Sequence, residues 1–237
     1  MVSSIEKETL MKPAYLFVTA AVLSMGTLCA TENPQFDTRW IPSQPQVLTY
    51  RTASDQGQGL YQVTLMKRDT LLEVYVNIIS PGFTKTVSAT MTLDMRPLQS
   101  TARIFVDGRV AMDTKTFYDG SGVRITTVMM PYNQAKTDRL TSDEPIVDFS
   151  QLPILPRVLN AANGDEHTFT SLNPQTNTLT PLTIKAIGEG TVQGIECSKM
   201  EMNDFEGKSI YWIERGARHR IILIEQPERH GRTELLQ

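Results

Sequence analysis

The chain has 237 residues, 40% apolar, 7% aromatic and 21% charged, with 23 Lys and Arg against 26 Asp and Glu for a net charge of −3. That balance excludes a collagen-like, coiled-coil or multi-span membrane protein and wholesale disorder. It also removes the electrostatic case for nucleic acid, since no basic excess exists to neutralise phosphates. Threonine contributes 28 residues, mostly in alternating segments, where a β-branched side chain suits a pleated surface. A β-rich, exported, globular protein is the expectation.

The chain starts with an address label by its grammar. Lys12 precedes the uncharged run Ala14 to Leu23, and small residues follow up to Ala30. A basic start, a short apolar run and small residues make a signal peptide over residues 1–30, with Met11 as an alternative start and cleavage near Ala30. The run falls short of the ~20 apolar residues that span a bilayer. A lipoprotein anchored at Cys29 fits less well, because Leu28 stands where a small residue is wanted. After cleavage 237 − 30 = 207 residues remain, with Cys197 as their cysteine and no internal disulfide. That usage suits a bacterial envelope, periplasmic or secreted, and the protein is not expected to be integral to the membrane.

Residues 31–45, with Pro34, Pro42 and Pro45, read as an extended lead-in, and residues 46–237 as a single β domain. Period-two alternation places Tyr61, Val63 and Leu65 on one face, then Leu72, Val74, Val76 and Ile78, then Val87, Ala89, Met91 and Leu93. Turn signals at Pro81-Gly82, Asp94 to Pro97, Asp107-Gly108 and Asp119 to Gly122 leave no room for crossover helices, so neighbours pair antiparallel. Asn133 to Glu144 is polar and reads as a loop. Leu152, Leu155 and Leu159 then predict one short helix near 150–161, with Ser150 able to cap it and Pro156 limiting it. Strands resume at Glu166–Ser171 and at Leu182, Ile184 and Ala186. A switch of apolar phase between Cys197 and Met200 predicts a bulge near Ser198-Lys199. The fold class is therefore all-β and mainly antiparallel: a strongly curved sheet or incomplete barrel with one short helix.

The chemistry-bearing residues are sparse. His167 reads as a polar residue at a strand edge, while His219 and His230 lie in an arginine-rich C-terminal hairpin where they could meet across a turn. No second pair at metal spacing accompanies them, so no metal or cofactor is expected. Cys197 alternates inward with Ile195 as a small hydrophobe. No nucleophile elbow, P-loop, dinucleotide fingerprint or zinc-protease helix is present, so no catalytic residue is assigned and an enzyme is not expected. What remains is apolar. Methionines stand at 66, 91, 95, 112, 129, 130, 200 and 202, and this residue suits adaptable apolar surfaces. Tyr75, Met91, Phe105, Met112, Phe117, Tyr211 and Trp212 form the candidate lining of a ligand cavity, with ordinary core as the alternative reading.

Three segments carry a family likeness. Val87–Leu98, the run from Asn173 to Cys197, and Ile210–Glu225 resemble the strand–turn units of a bacterial exported β-protein family built on a domain of unknown function. The resemblance spans roughly residues 75 to 235, and it implies a highly curved, incompletely closed antiparallel barrel, similar in shape to lipoprotein-localisation carriers. It carries no catalytic residues across. The functional expectation is a non-enzymatic envelope protein that binds an apolar ligand such as a lipid or acyl chain in a half-barrel. The alternative is an interaction module that holds a protein partner in the periplasm through strand edges or the 133–144 segment.

Overall fold

The computed structural model describes residues 34–236 apart from Gln56, Ser121 and Gln175, so the expected signal peptide and its expected cleavage near Ala30 lie outside the described residues. The first run of strands is β1 (Gln46–Ser54), β2 (Gly57–Arg68), β3 (Leu71–Ser80), β4 (Phe83–Thr92), β5 (Pro97–Val106), β6 (Arg109–Tyr118), β7 (Gly122–Met129) and β8 (Gln134–Thr141). Then come β9 (Ile146–Val147), a 3-10 turn (Phe149–Gln151) and the short helix α1 (Leu155–Val158). The second run is β10 (Glu166–Asn173), β11 (Thr178–Val192), β12 (Ile195–Asp204), β13 (Gly207–Glu214), β14 (Ile221–Gln226) and β15 (Gly231–Leu235).

All fifteen strands belong to one sheet, ordered β8 down to β1 and then β15 down to β9. Every pairing is an antiparallel meander step except β1 with β15, which joins the two runs, and the parallel pair β9–β10. The predicted turns account for this order. At Asp107-Gly108 both residues take positive φ, 49° and 75°, as a two-residue primed hairpin requires, and Val106 faces Arg109 across it.

The expected inner face is observed: Val63, Leu65, Leu72, Val74, Val76, Val87, Ala89 and Met91 share one core with Leu182, Ile184, Met200, Met202 and Tyr211. The segment after β9 fills the space between these walls. Leu152, Ile154, Leu155, Val158 and Leu159 are all at most 5% exposed. Its helix is short for a covalent reason. Pro156 occupies the first turn, so the helix cannot extend backward through it, and Leu159 is already extended at ψ 118°. Ser150 does not cap this helix: Ile154 stands at its N-cap with no side-chain bond, and Asp148 caps the preceding 3-10 turn instead.

The sheet does not close by hydrogen bonds. It overlaps itself. Val123 and Ile125 of β7 lie on the inner face, sharing register with Tyr118 and Thr116. Leu172 and Leu179 lie on the outer face of β10 and β11, opposite in phase to Phe169 and Leu182. These residues nevertheless form one buried cluster with Ile146 and Leu140. The β7–β8 flap thus laps over the outside of β10–β11, and Asn177 Nδ2 pins it by donating to Asp138 Oδ2 at 2.7 Å.

Several expectations are corrected. The polar stretch 133–144 contains strand β8, paired in full with β7. All of its side chains except Ala135 and Leu140 are polar, as suits a sheet edge, and that polarity mimicked a loop. The bulge sits on β11 at Ile187, opposite Lys199 and Met200, not within β12. Cys197 is buried, but with Val192, Ile222 and Leu223 in a cluster separate from the main core. Met200 and Met202 carry the inward phase. His219 and His230 stand at opposite ends of β14 and do not meet: His219 stacks on Trp40 and His230 bonds Asp55. His167 opens β10 as expected, paired with Ile184 on one side and beyond the reach of β9 on the other, and among the described residues its buried Nε2 has no hydrogen-bond partner. The lead-in is not free, since Phe36 bridges Leu159 and Ile41 is 3% exposed.

Candidate functional site

The inner face is filled along β11–β13 and left open at the hairpin end of β4–β7. Cross-strand register places Phe83 opposite Val106, Lys85 opposite Ile104, Ile104 opposite Met112, and Met112 opposite Met129. Paired residues project to the same side of a sheet. In β4 that side is the inner one, because Phe83 and Lys85 keep the phase of Val87 and Ala89. The row is apolar yet uncovered: Phe83 is 36% exposed, Val106 46% and Met129 48%, while Ile104 and Met112 are half-buried.

Lys85 stands at the inner end of this row. Its ammonium lies 3.9 Å over the Phe149 ring, and Phe149 in turn faces Phe205 at 6.1 Å. Burial pushes the Lys85 amine below its ordinary value, against the opposing pull of Glu206 and Asp148. Among the described residues it makes no ion pair. Apolar residues therefore lead from the open end to a half-buried cation.

Asp148 holds the boundary between the filled and open parts. Its carboxylate accepts from Ser150 N at 2.8 Å, from Ser100 Oγ at 2.7 Å and from the Tyr118 hydroxyl. Gln151 completes the capping box, accepting from Asp148 N at 2.6 Å and donating to the Met95 carbonyl at 2.6 Å. Burial and the Asp148 charge together raise Tyr118 well above its ordinary value, so the phenol stays protonated and donates. This carboxylate fixes the internal segment against β5 and β6.

The seven expected lining residues scatter. Met112 is in the open row. Met91, fully buried, and Tyr211, 6% exposed, are packed core. Tyr75 and Phe117, 41% and 42% exposed, have the outward phase of β3 and β6. Phe105 also faces outward, in a shallow hollow of about 280 Å³ with Thr86, Thr101, Arg103 and Asp113. Trp212 is on the outer face against Lys199 and donates to Glu225 Oε2 at 2.7 Å. Phe83, Ile104, Val106 and Met129 were missed as lining. The Asp107-Gly108 turn sets Val106 against Arg109, but a bulge at Ala111 then reverses the phase of β6, so that the inward side of Met112 and Met129 has no local signal.

The described residues thus define a class: an open, scrolled antiparallel half-barrel with an internal plug and no cluster of three or more His, Cys, Asp or Glu able to hold a metal. None of their helices is long and apolar enough to cross a membrane. No protein-family model matches the chain, and no curated protein does. Among solved structures, the chain is similar to a β-barrel-like protein of the domain of unknown function DUF1849 from Brucella abortus. The likeness has a TM-score of 0.56 at 8% identity, covering 83% of this chain and 98% of that one. A DUF1329 family protein from Desulfovibrio piger matches at a TM-score of 0.32 and 9% identity, over 83% and 85% of the two chains. The first likeness is one of fold. It bears out the curved, barrel-like architecture expected of a β-protein of this kind.

Proposed function

We propose that the protein is a non-enzymatic, exported cell-envelope protein that binds an apolar chain along the open inner row of β4–β7. The observation that supports this reading is the exposure of Phe83, Val106 and Met129 on the face whose other residues form the core. An apolar row left in water is unfavourable by about 25 cal/mol per Å², and covering it with an acyl chain recovers that free energy. The half-buried Lys85 ammonium at the row's end favours an acidic amphiphile over a neutral one.

The test is titration of the purified protein with cis-parinaric acid, a fluorescent fatty acid. Saturable emission is expected, with affinity falling at least about tenfold in Met112→Glu while the melting temperature holds. Absence of saturation, or equal affinity in that variant, overturns the proposal.

A second reading rests on β8, the edge strand, which is paired on one side only. In that reading it receives a strand from an envelope partner. A stoichiometric partner retained by the parent protein and lost on Thr137→Pro would favour it over the acyl-chain reading.

A further inference from the structure

A second site lies at the other end of the molecule, where β15 stops short of the start of β1. There a hollow of about 470 Å³ is lined by Gln46, Leu48, Arg218, Arg220, Leu235 and Leu236 among others. Behind its wall stands Arg157, 4% exposed. Its guanidinium donates to the carbonyls of His219 and Arg218 at 2.6 and 3.3 Å and to Gln46 Oε1 at 3.0 Å, and it lies 4.4 Å over the Trp40 ring. All of these partners are neutral. A buried cation normally has a carboxylate beside it, because desolvating an unpaired charge is costly.

The nearby acids are committed elsewhere. Glu214 accepts two bonds from Arg220, at 2.8 and 2.9 Å, and Asp37 is held by Arg39 at 2.8 Å. Arg218 is exposed and makes no ion pair among the described residues. Trp40 adds a further donor, since its buried Nε1 has no acceptor among the described residues. Two guanidinium charges therefore stand at one hollow, Arg218 in its lining and Arg157 behind it, and among the described residues neither is bonded to a carboxylate, Arg218 acting on Glu214 only through its charge. The burial that pushes Arg157 down to about 10 leaves it charged at neutral pH.

We propose that this hollow is a binding site for an oxyanion, a phosphate or carboxylate group, with Arg218 contacting the anion and Arg157 supplying positive charge from behind Gln46. Leu235 and Leu236 give the same hollow an apolar wall, so the anion can be free or can head a short hydrocarbon.

Calorimetric titration with inorganic phosphate and with hexyl phosphate tests this. It is paired with Trp40 fluorescence in a Trp212→Phe background, where Trp40 is the remaining indole of the 2 in the chain. Saturable binding of either compound, weakened about tenfold or more by Arg218→Ala but not by Arg124→Ala, supports the site. Equal affinity for the two compounds identifies a free oxyanion as ligand. Tighter hexyl phosphate binding that Leu236→Asp abolishes identifies a head group. No heat and no fluorescence change up to about 10 mM, or equal losses in both arginine variants, overturns the proposal. Because the probes lack a long acyl chain, this result stands apart from the one at β4–β7.

Discussion

Two stretches of the same inner face have the same kind of sequence and opposite fates. On β11 and β12, Leu182, Ile184, Met200 and Met202 alternate with polar residues, and all four are nearly inaccessible. On β5 to β7, Ile104, Val106, Met112 and Met129 are comparably apolar, and solvent reaches them. The difference lies in what covers each stretch. The segment 148–159 packs against the first, whereas it meets the second only at its start, where Phe149 lies under Lys85 and Asp148 holds Ser100 and Tyr118. A strand pattern specifies which side chains face inward. Whether they become core or binding surface is decided by a distant piece of chain.

The largest expected effect tests the covered side. Leu155→Ala empties a site 1% exposed in the plug and should cost about 2–5 kcal/mol in urea unfolding. Met112→Ala on the open side should cost under about 1 kcal/mol, since solvent already reaches it. Equal costs would mean that the open row is core after all.

Next is the latch between the two stretches. Asp148→Asn keeps the shape but turns a donor toward Ser100, Tyr118 or Ser150, and about 1–3 kcal/mol should be lost. Hydrogen exchange should rise first in residues 149–159 if the latch holds the plug specifically; uniform protection loss would refute that role.

Much of this architecture was legible beforehand. The alternation from Tyr61 to Leu93 and the Asp107-Gly108 turn predict strands, faces and hairpin, because period-two burial and positive φ are local properties. The site was legible only at Met112. Tyr211 and Trp212 are adjacent aromatics on opposite faces, one in the core and one outside. Choosing between them needs the register of β12 and β14, which bulges at Ile187 and near Ile222 displace. The identity of β8 was hidden for a related reason: with Ala135 and Leu140, on opposite faces, as its apolar residues, this edge strand has no period to read.

The smallest effect concerns acid. Burial and the neighbouring Arg157 lower the His219 pKa, with Asp37 and Glu214 opposing. The unfolded chain then binds this proton more readily than the folded one, so stability falls as pH drops from the ordinary histidine value toward the lowered one. His219→Phe, which keeps an aromatic ring against Trp40, should flatten that part of the stability curve. The carboxylate-driven loss at lower pH, from Glu214 and Asp37, should remain. An unchanged slope in the variant would show that the histidine does not drive this window.

The overlapping edges have a consequence for girth. A closed barrel fixes its circumference by strand number and stagger, because a continuous ladder of backbone bonds encircles it. Here the lap between β7–β8 and β10–β11 is made of side chains: Val123, Ile125, Leu140, Leu172 and Leu179, with a hydrogen bond donated by the Asn177 side-chain amide to Asp138. Sliding it breaks no strand pairing. How tightly the sheet is rolled is therefore set by the bulk of a few side chains at the lap, and trimming Leu140 or Leu172 changes the bore of the half-barrel while every hairpin stays intact.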